Sequence, residues 1–290
     1  MPLLPDSLSA EQRGSLFMIL AMAGFSLEDM LLKRVMAQVP VGEVLVLFGL
    51  GGMLVFAWMA QRQQQAIFAP GLFKPTLALR SLCEIAGRVF YALAIALTPL
   101  SSASAILQAT PLVVAVGAVI FFHEKVGPRR WTAILIGFLG VLLILRPGFE
   151  GFEPASIFAV LGTLGFAGRD LGSRAAPPSM SNAQLGVYGF LMLIISGAVL
   201  LAITGGATVP DGPAFGQLLV AIGFGVLAYN SLSVAMRSGA ISVVAPFRYT
   251  RLIFAMLLGM LVFAERPDGF TLLGNAIIVL SGLYTLYRSR

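Results

Sequence analysis

Charged residues are scarce in this chain of 290 residues, in which Lys, Arg, Asp and Glu together make up 11%. A soluble domain carries about 25% charged residues. Here 58% of the residues are hydrophobic and the mean hydropathy is +0.92. The composition excludes an ordinary soluble domain and predicts an integral membrane protein.

Cysteine and histidine are nearly absent, with one residue of each, Cys83 and His123. A single cysteine cannot form an intramolecular disulfide, and a single histidine excludes the paired-histidine metal motifs. The sequence also lacks a Walker motif, and one loop histidine does not support a Ser-His-Asp set. We therefore predict no cofactor, no metal site, no direct use of ATP and no enzymatic activity.

Two further features define the expected surroundings of the chain. Residues 1–14 lack a basic n-region and no A-x-A site follows the first apolar run, so we expect no cleavable signal peptide. The net charge is +6, but the basic residues mostly lie at segment ends, which is typical of cytoplasmic loops. We expect a lipid bilayer as the partner, with no nucleic acid and no obligatory protein partner.

Apolar runs near membrane length recur along the chain with short polar breaks. Such runs must be helices, because an open strand edge cannot exist in lipid. The ten predicted spans are 15–38, 43–61, 75–98, 101–122, 129–146, 154–175, 183–203, 213–236, 240–264 and 269–287. The predicted fold class is all-α, with ten transmembrane helices.

An internal repeat divides the chain into residues 1–146 and 147–290. One offset of 141 residues serves both ends of the repeat. At its start Gly24, Phe25 and Asp29 align with Gly165, Phe166 and Asp170, and at its end Phe122, Glu124 and Lys125 align with Phe263, Glu265 and Arg266. The interpretation is two copies of a five-helix unit.

An odd number of spans per copy makes the second copy enter the membrane from the opposite side. Two inverted five-helix repeats around a central cavity are the plan of many secondary transporters. Ten basic residues would lie on the side of the termini and four on the other side. Positive charge favours the cytoplasm, so both termini are predicted to be cytoplasmic.

The third run carries Arg80, Glu84 and Arg88 at intervals of four, followed by Tyr91. On a helix these side chains share one face. An ionised side chain at the centre of a membrane helix costs roughly 2.5–3.5 kcal/mol, so these residues need partners.

In the middle of the protein the sequence places five bases and four acids, which leaves one more base than acid. The bases are Arg80, Arg88, Arg169, Arg248 and Arg251, and the acids are Glu28, Asp29, Glu84 and Asp170. An unpaired guanidinium would hold a solute carboxylate in a bidentate grip, and Glu84 could accept an ammonium. The alternative is internal pairing, in which Glu84 bridges Arg80 and Arg88 and Asp170 serves a neighbouring Arg.

Other polar residues within the spans are further candidates. The substrate-binding candidates are Arg80, Glu84, Arg88, Tyr91, Gln108, Asn230, Arg248, Tyr249 and Arg251. Possible coupling residues are Glu28, Asp29 and Asp170, although Asp29 and Asp170 are expected to form local salt bridges with Lys33 and Arg174. Glu124 and Glu265 are expected to cap the helix that follows each of them. Pro111 and Pro246 are expected to interrupt the fourth and ninth helices.

The two copies end alike, in Phe122-His-Glu124-Lys125 and Phe263-Ala-Glu265-Arg266, each followed by a last apolar helix. With the tandem five-helix copies, these endings resemble the EamA-type permeases of the drug/metabolite transporter superfamily. Within it, the chain looks most like bacterial exporters of aromatic and other neutral amino acids. The resemblance implies a carrier of small metabolites in the inner membrane.

Three alternative functions stay open on the sequence. The same scaffold could carry another solute, such as a nucleoside-like or cationic metabolite, although surplus carboxylates would then be expected. A lipid-modifying membrane enzyme would need a nucleophile, metal or histidine cluster. A membrane scaffold without transport would pair every buried charge and enclose no cavity.

Overall fold

The computed structural model describes residues 9–67, 75–122, 128–145, 153–174, 181–238 and 245–287. Every regular element within these ranges is helical. The helices are α1 (Ala10–Met36), α2 (Val41–Arg62), α3 (Pro75–Leu97), α4 (Leu100–Leu107), α5 (Thr110–Phe122), α6 (Pro128–Leu145), α7 (Ser156–Arg174), α8 (Asn182–Thr204), α9 (Gly212–Arg237), a 3-10 helix η1 (Ala245–Tyr249), α10 (Thr250–Phe263) and α11 (Gly269–Tyr287).

These elements confirm the all-helical prediction, and two of the ten predicted spans are broken. The fourth span divides into α4 and α5 at Gln108 and Ala109, just before Pro111. The ninth begins with η1, which contains Pro246, and continues as α10. Because proline lacks an amide hydrogen, it cannot continue the helical ladder, and both interruptions occur where prolines predicted them. The predicted start of the ninth span, 240–244, lies outside the described residues.

The two halves of the chain pack in a reciprocal pattern. The first helix of each half packs chiefly against the third helix of the other, as α1 with α9 and α3 with α7. The second helices pack together as α2 with α8, and the last ones as α6 with α11. Exchange of the halves leaves this pattern unchanged, which is the property of a twofold relation. With five spans per half, the second half runs in the opposite direction, as predicted.

Long apolar faces point away from the helix bundle. Leu54, Phe121 and Leu261 are 65%, 71% and 81% exposed. Within the described residues, five helical spans are long and apolar enough to cross a membrane, and one of them runs through α4 and α5. The exposed side chains are therefore the lipid-facing surface of a multi-pass membrane protein.

Glycines allow the halves to approach closely where α3 crosses α7. A Cβ on Gly165 would clash with the backbone of Gly87, and one on Gly162 would lie 3.1 Å from the Tyr91 amide nitrogen. Small residues at such crossings are typical of membrane helices, because they let two backbones approach closely.

A charged cavity between the two halves

A cavity lies between the halves, next to the two broken spans. About 690 Å³ of space in and at the mouth of the cavity is not filled by protein atoms. Its lining comes from α1, α3, α4, α5, α7, α9, η1 and α10. The lining residues are Met22, Phe25, Glu28, Asp29, Arg88, Tyr91, Leu107, Gln108, Thr110, Phe166, Arg169, Leu232, Arg248 and Arg251. Four arginines and two acids thus face one shared space, which gives the wall a surplus of positive charge.

An ion pair between Arg251 and Asp29 links the two halves at this cavity. The Arg251 guanidinium of α10 donates to Oδ2 of Asp29 in α1 at 2.6 Å. The Tyr91 hydroxyl donates to the same oxygen at 3.1 Å and lies 3.3 Å from the Ser104 hydroxyl. The Asp29 carboxylate is therefore neutralised and held in place from both halves.

A second network lies on the α7 side and is centred on Arg169. Its guanidinium donates to Asp170 at 2.8 Å and lies 3.8 Å from Glu84. Arg248 lies 3.7 Å from the other Asp170 oxygen, and Arg80 lies 3.5 Å from Glu84. Glu84 is completely buried, so these cations offset the cost of its charge.

Arg88 differs from the other arginines of the wall. Within the described part of the chain it forms no ion pair, and its buried Nε has no hydrogen-bond partner. Its guanidinium carbon lies 5.6 Å from the centre of the Phe166 ring. The surplus base counted in the sequence is therefore a cavity arginine with donors available to a solute.

Glu28 is the acidic counterpart of Arg88. It is 4% exposed and lines the cavity. Among the described residues it makes no hydrogen bond or ion pair, although Arg88 and Arg251 lie within electrostatic reach. In the part of the chain that the structure describes, the cavity thus presents one cation and one acid without an ion-pair partner.

Two aromatic rings, those of Phe25 and Phe166, lie among the charged residues of the cavity wall. Arg251 lies 5.2 Å from the Phe25 ring centre, and Arg169 lies 4.8 Å from that of Phe166. Tyr91 packs edge-on against Phe166 with ring centres 6.0 Å apart. The rings give the guanidinium groups favourable cation–π contacts and give the cavity an apolar surface.

The positive charges are distributed unequally between the halves. The 141-residue offset aligns Leu107 with Arg248 and Thr110 with Arg251. Asp29 therefore receives its cation from the other half, whereas Asp170 is paired within its own half. The packing of the two halves is nearly symmetric, but the charge lining of the cavity is not.

Comparison with known proteins identifies the scaffold. The EamA-like transporter family matches residues 12–146 and again residues 154–287. The chain belongs to this family. The two matches confirm the resemblance predicted from the paired endings and the two five-helix repeats.

The relatives of this EamA-like transporter carry different solute names. It is 34% identical to a riboflavin transporter of Vibrio cholerae over 63% of this chain and 61% of the relative. It is 26% identical to an S-adenosylmethionine uptake transporter of Rickettsia felis over 73% and 71%. It is 28% identical to the pseudopaline exporter CntI of Pseudomonas aeruginosa over 92% and 94%. None of these names is an amino-acid exporter, so the family fixes the scaffold and leaves the solute open.

The matched proteins differ in how much of their length this chain covers and in how similar their sequences are. The chain spans about three fifths of the riboflavin transporters that it matches, 61% and 63%. A solved structure aligns with 95% of this chain and 99% of its own, with a TM-score of 0.64 and 16% identity. That likeness concerns the fold alone.

The structure divides the predicted binding residues of the transporter into two groups. Arg88, Tyr91, Gln108, Arg248 and Arg251 line the cavity. Gln108 also donates to the Arg248 carbonyl at 3.3 Å, which ties the two broken spans together. Four predicted residues do not line it: Arg80, Glu84, Asn230 and Tyr249. Of the possible coupling residues, Glu28 and Asp29 line the cavity. Asp170 does not line it and pairs with Arg169, which does.

Sequence reasoning missed several lining residues. Arg169 was counted among the bases but not proposed as a site residue, and Phe25 and Phe166 were not proposed either. The repeat offered a signal, because Phe25 and Phe166 align with each other and Arg169 precedes the aligned Asp170. The apolar lining residues Met22, Leu107 and Leu232 carry no such signal.

The expected salt bridge between Asp29 and Lys33 is wrong. Asp29 binds Arg251, whereas Lys33 Nζ donates to the carbonyls of Ile95 and Thr98 at 2.8 and 2.5 Å. Those carbonyls lie at the end of α3, where the last turn of a helix offers acceptors. The side chain of Arg174 lies outside the described residues, so its expected pairing with Asp170 stays a prediction.

Glu265 also differs from its expected role, because it caps a helix of the other half. Its carboxylate accepts hydrogen bonds from the Leu100 and Ser101 amides at 2.6 and 3.1 Å, and from the Ser101 hydroxyl at 2.7 Å. The following helix, α11, is capped by Asp268 instead, through the Thr271 amide. We call the contact of Glu265 with Leu100 and Ser101 the α4 cap. Glu124 lies outside the described residues.

Proposed function

We propose that the protein is a secondary transporter for a small metabolite that bears a carboxylate. Amino acids with aromatic or other neutral side chains are the first candidates. The observation that carries the proposal is Arg88, a cavity arginine that forms no ion pair among the described residues and lies beside aromatic rings.

A carboxylate suits Arg88 for two reasons. A guanidinium presents donors in a planar fork that matches the two carboxylate oxygens. Partial burial removes competing water, so such a charge-assisted pair is worth more than at an exposed surface. The Phe166 ring beneath Arg88 would pack against the apolar part of the solute.

Alternating access is the mechanism that this architecture supports. The cavity lies between two reciprocally packed halves, and rocking of one half against the other would expose it to each side in turn. We propose that transport is outward across the inner membrane, with both termini cytoplasmic. The pseudopaline exporter, matched over 92% of this chain, supports the outward direction.

A planar aromatic solute such as riboflavin is the second candidate. Phe25, Tyr91 and Phe166 provide ring surfaces in or beside the cavity, and the riboflavin transporter of Vibrio cholerae is 34% identical over 63% of this chain. Binding through stacking would depend on these rings and much less on Arg88. The two candidates therefore differ in how they respond to loss of one charge.

Counterflow into proteoliposomes tests both candidates. The panel contains L-phenylalanine, L-leucine, 3-phenylpropionate, riboflavin, adenosine and phenethylamine. We expect Arg88→Gln to lower the flux of carboxylate solutes by about thirtyfold or more, since charge-assisted hydrogen bonds are worth about 2 kcal/mol. Riboflavin flux that survives Arg88→Gln would support the second candidate instead.

Arg62→Gln is the matched control, because Arg62 is an exposed arginine at the end of α2 that lies over the Trp58 ring. It should leave flux unchanged. Wild-type flux of the carboxylate solutes in Arg88→Gln would refute the proposed role of Arg88. An absence of flux for the whole panel in the wild type would refute this assignment of solutes.

A further inference from the structure

We infer that Glu28 binds the cationic group of the solute, so that Glu28 and Arg88 together select zwitterions. This inference rests on the proposed function and adds a second charged contact to it. It concerns a residue that the sequence suggested only as a coupling site.

The first observation is that Glu28 is buried and has no partner among the described residues. Glu28 is 4% exposed and faces the cavity, yet no described residue donates a hydrogen bond to it or pairs with it. A buried carboxylate is costly unless it is paired. The geometry therefore leaves an acceptor open toward the space that a solute would fill.

The neighbouring acids are already occupied. Asp29 accepts from Arg251 at 2.6 Å and from Tyr91 at 3.1 Å. Glu84, the ammonium acceptor predicted from the sequence, is completely buried between Arg80 and Arg169 and does not line the cavity. Of the acids in the described spans, Glu28 alone lines the cavity without a partner.

The backbone of α9 also leaves room for the Glu28 side chain. A Cβ added to Gly225 would lie 3.2 Å from Glu28 Oε2 and 2.5 Å from Cζ of the Phe48 ring. Phe48 is 1% exposed and cannot move away easily. Gly225 therefore keeps the space beside the carboxylate clear.

Two opposite charges on one cavity wall distinguish solutes by their net charge and by the positions of their charged groups. Glu28 lies on α1 and Arg88 on α3, within electrostatic reach of each other. A solute with only a carboxylate leaves Glu28 uncompensated, and a solute with only an amine leaves Arg88 uncompensated. An unpaired charge that remains buried in the complex lowers affinity, which is how such a site rejects the wrong solute.

Three probes with one phenyl group test this inference: L-phenylalanine, 3-phenylpropionate without the amine, and phenethylamine without the carboxylate. Competition in counterflow gives an apparent affinity for each probe. We expect the wild type to prefer L-phenylalanine to 3-phenylpropionate by about tenfold or more, from one charge-assisted contact. Glu28→Gln should reduce this preference to below about twofold, with 3-phenylpropionate binding unchanged or improved.

Arg88→Gln gives the complementary result, since it should reduce the preference for L-phenylalanine over phenethylamine. Glu28→Asp keeps the charge and should retain part of the preference for the zwitterion, which keeps the test decisive if Glu28→Gln folds poorly. If Glu28→Gln cannot be purified, Glu28→Asp decides: its side chain is one methylene shorter and its carboxylate lies further from the solute, so a wild-type ratio rejects the inference.

Other outcomes separate this inference from the proposed function. Equal loss of L-phenylalanine and 3-phenylpropionate binding in Glu28→Gln means that Glu28 has only a structural role. A wild type that carries 3-phenylpropionate as well as L-phenylalanine rejects zwitterion selection, while the proposed carboxylate transport stands. A wild type that carries neither probe rejects both.

Discussion

Replacement of Glu265 by Gln should open the α4 cap and change which conformations the transporter populates. The Glu265 carboxylate accepts three hydrogen bonds from Leu100 and Ser101, and it belongs to the opposite half of the chain. α4 begins at Pro99, which offers no side-chain cap of its own. The first amides of α4 therefore depend on a carboxylate from the opposite half of the chain.

The size of the effect follows from the chemistry of the acceptor. Hydrogen bonds to a charged group contribute about 1.5–3 kcal/mol each, and neutral ones about 0.5–1.5 kcal/mol. Gln keeps one acceptor oxygen but places an amide NH₂ where the second carboxylate oxygen accepts from Ser101. A net loss of about 2 kcal/mol corresponds to about a thirtyfold shift in the ratio of capped to uncapped molecules.

Hydrogen–deuterium exchange measured on peptides that span α4 reports this ratio directly. The Leu100 and Ser101 amides are protected by Glu265, so their exchange should accelerate by about thirtyfold in Glu265→Gln. Gly259→Ala should act in the same direction, because a Cβ there would clash with the Glu265 carboxylate.

Glu43→Gln is the matched control. Glu43 also accepts from the opposite half, at the amide and hydroxyl of Thr208, but this contact is exposed. Its replacement should speed exchange near Thr208 and leave α4 unchanged. If α4 exchanges at the wild-type rate in Glu265→Gln, the carboxylate does not hold the two halves together and the reasoning is wrong.

Two further predictions concern stability, measured by thermal unfolding of purified protein. Arg251→Gln should destabilise by about 3–5 kcal/mol because Asp29 is left buried and unpaired, and adding Asp29→Asn should recover part of the loss. No recovery in the double variant would contradict the pairing. Gly165→Ala should destabilise by about 1–3 kcal/mol because its Cβ meets the Gly87 backbone, whereas Gly223→Ala, with nothing within 4 Å, should not. Equal effects of the two alanines would argue against a tight crossing of α3 and α7.

Long-range contacts explain most of the differences between the predicted and observed site. Lys33 was expected to pair with Asp29, four residues earlier on the same helix, because sequence spacing reveals only such local pairs. In the folded protein Asp29 meets Arg251, which is 222 residues away in the sequence. A partner at that separation depends on how α1 packs against α10, and no local pattern encodes it.

The same limit applies to the face shared by Arg80, Glu84, Arg88 and Tyr91. Helical spacing correctly placed them on one side of α3. It could not show that Arg169 of the other half pairs with Glu84, while Arg88 has no carboxylate partner among the described residues. Arg88 and Glu28 became site residues only through what their neighbours already bind.

The sequence by itself determined the class of the protein, its helices and its two copies. An apolar span in lipid must be a helix, because only a helix satisfies the backbone hydrogen bonds within the span. Prolines predict where two of the spans break. Tertiary structure alone decided which charges are paired across the halves and which face the cavity. Burial makes an unpaired charge costly, so the pairing selected by packing determines what remains available to a solute.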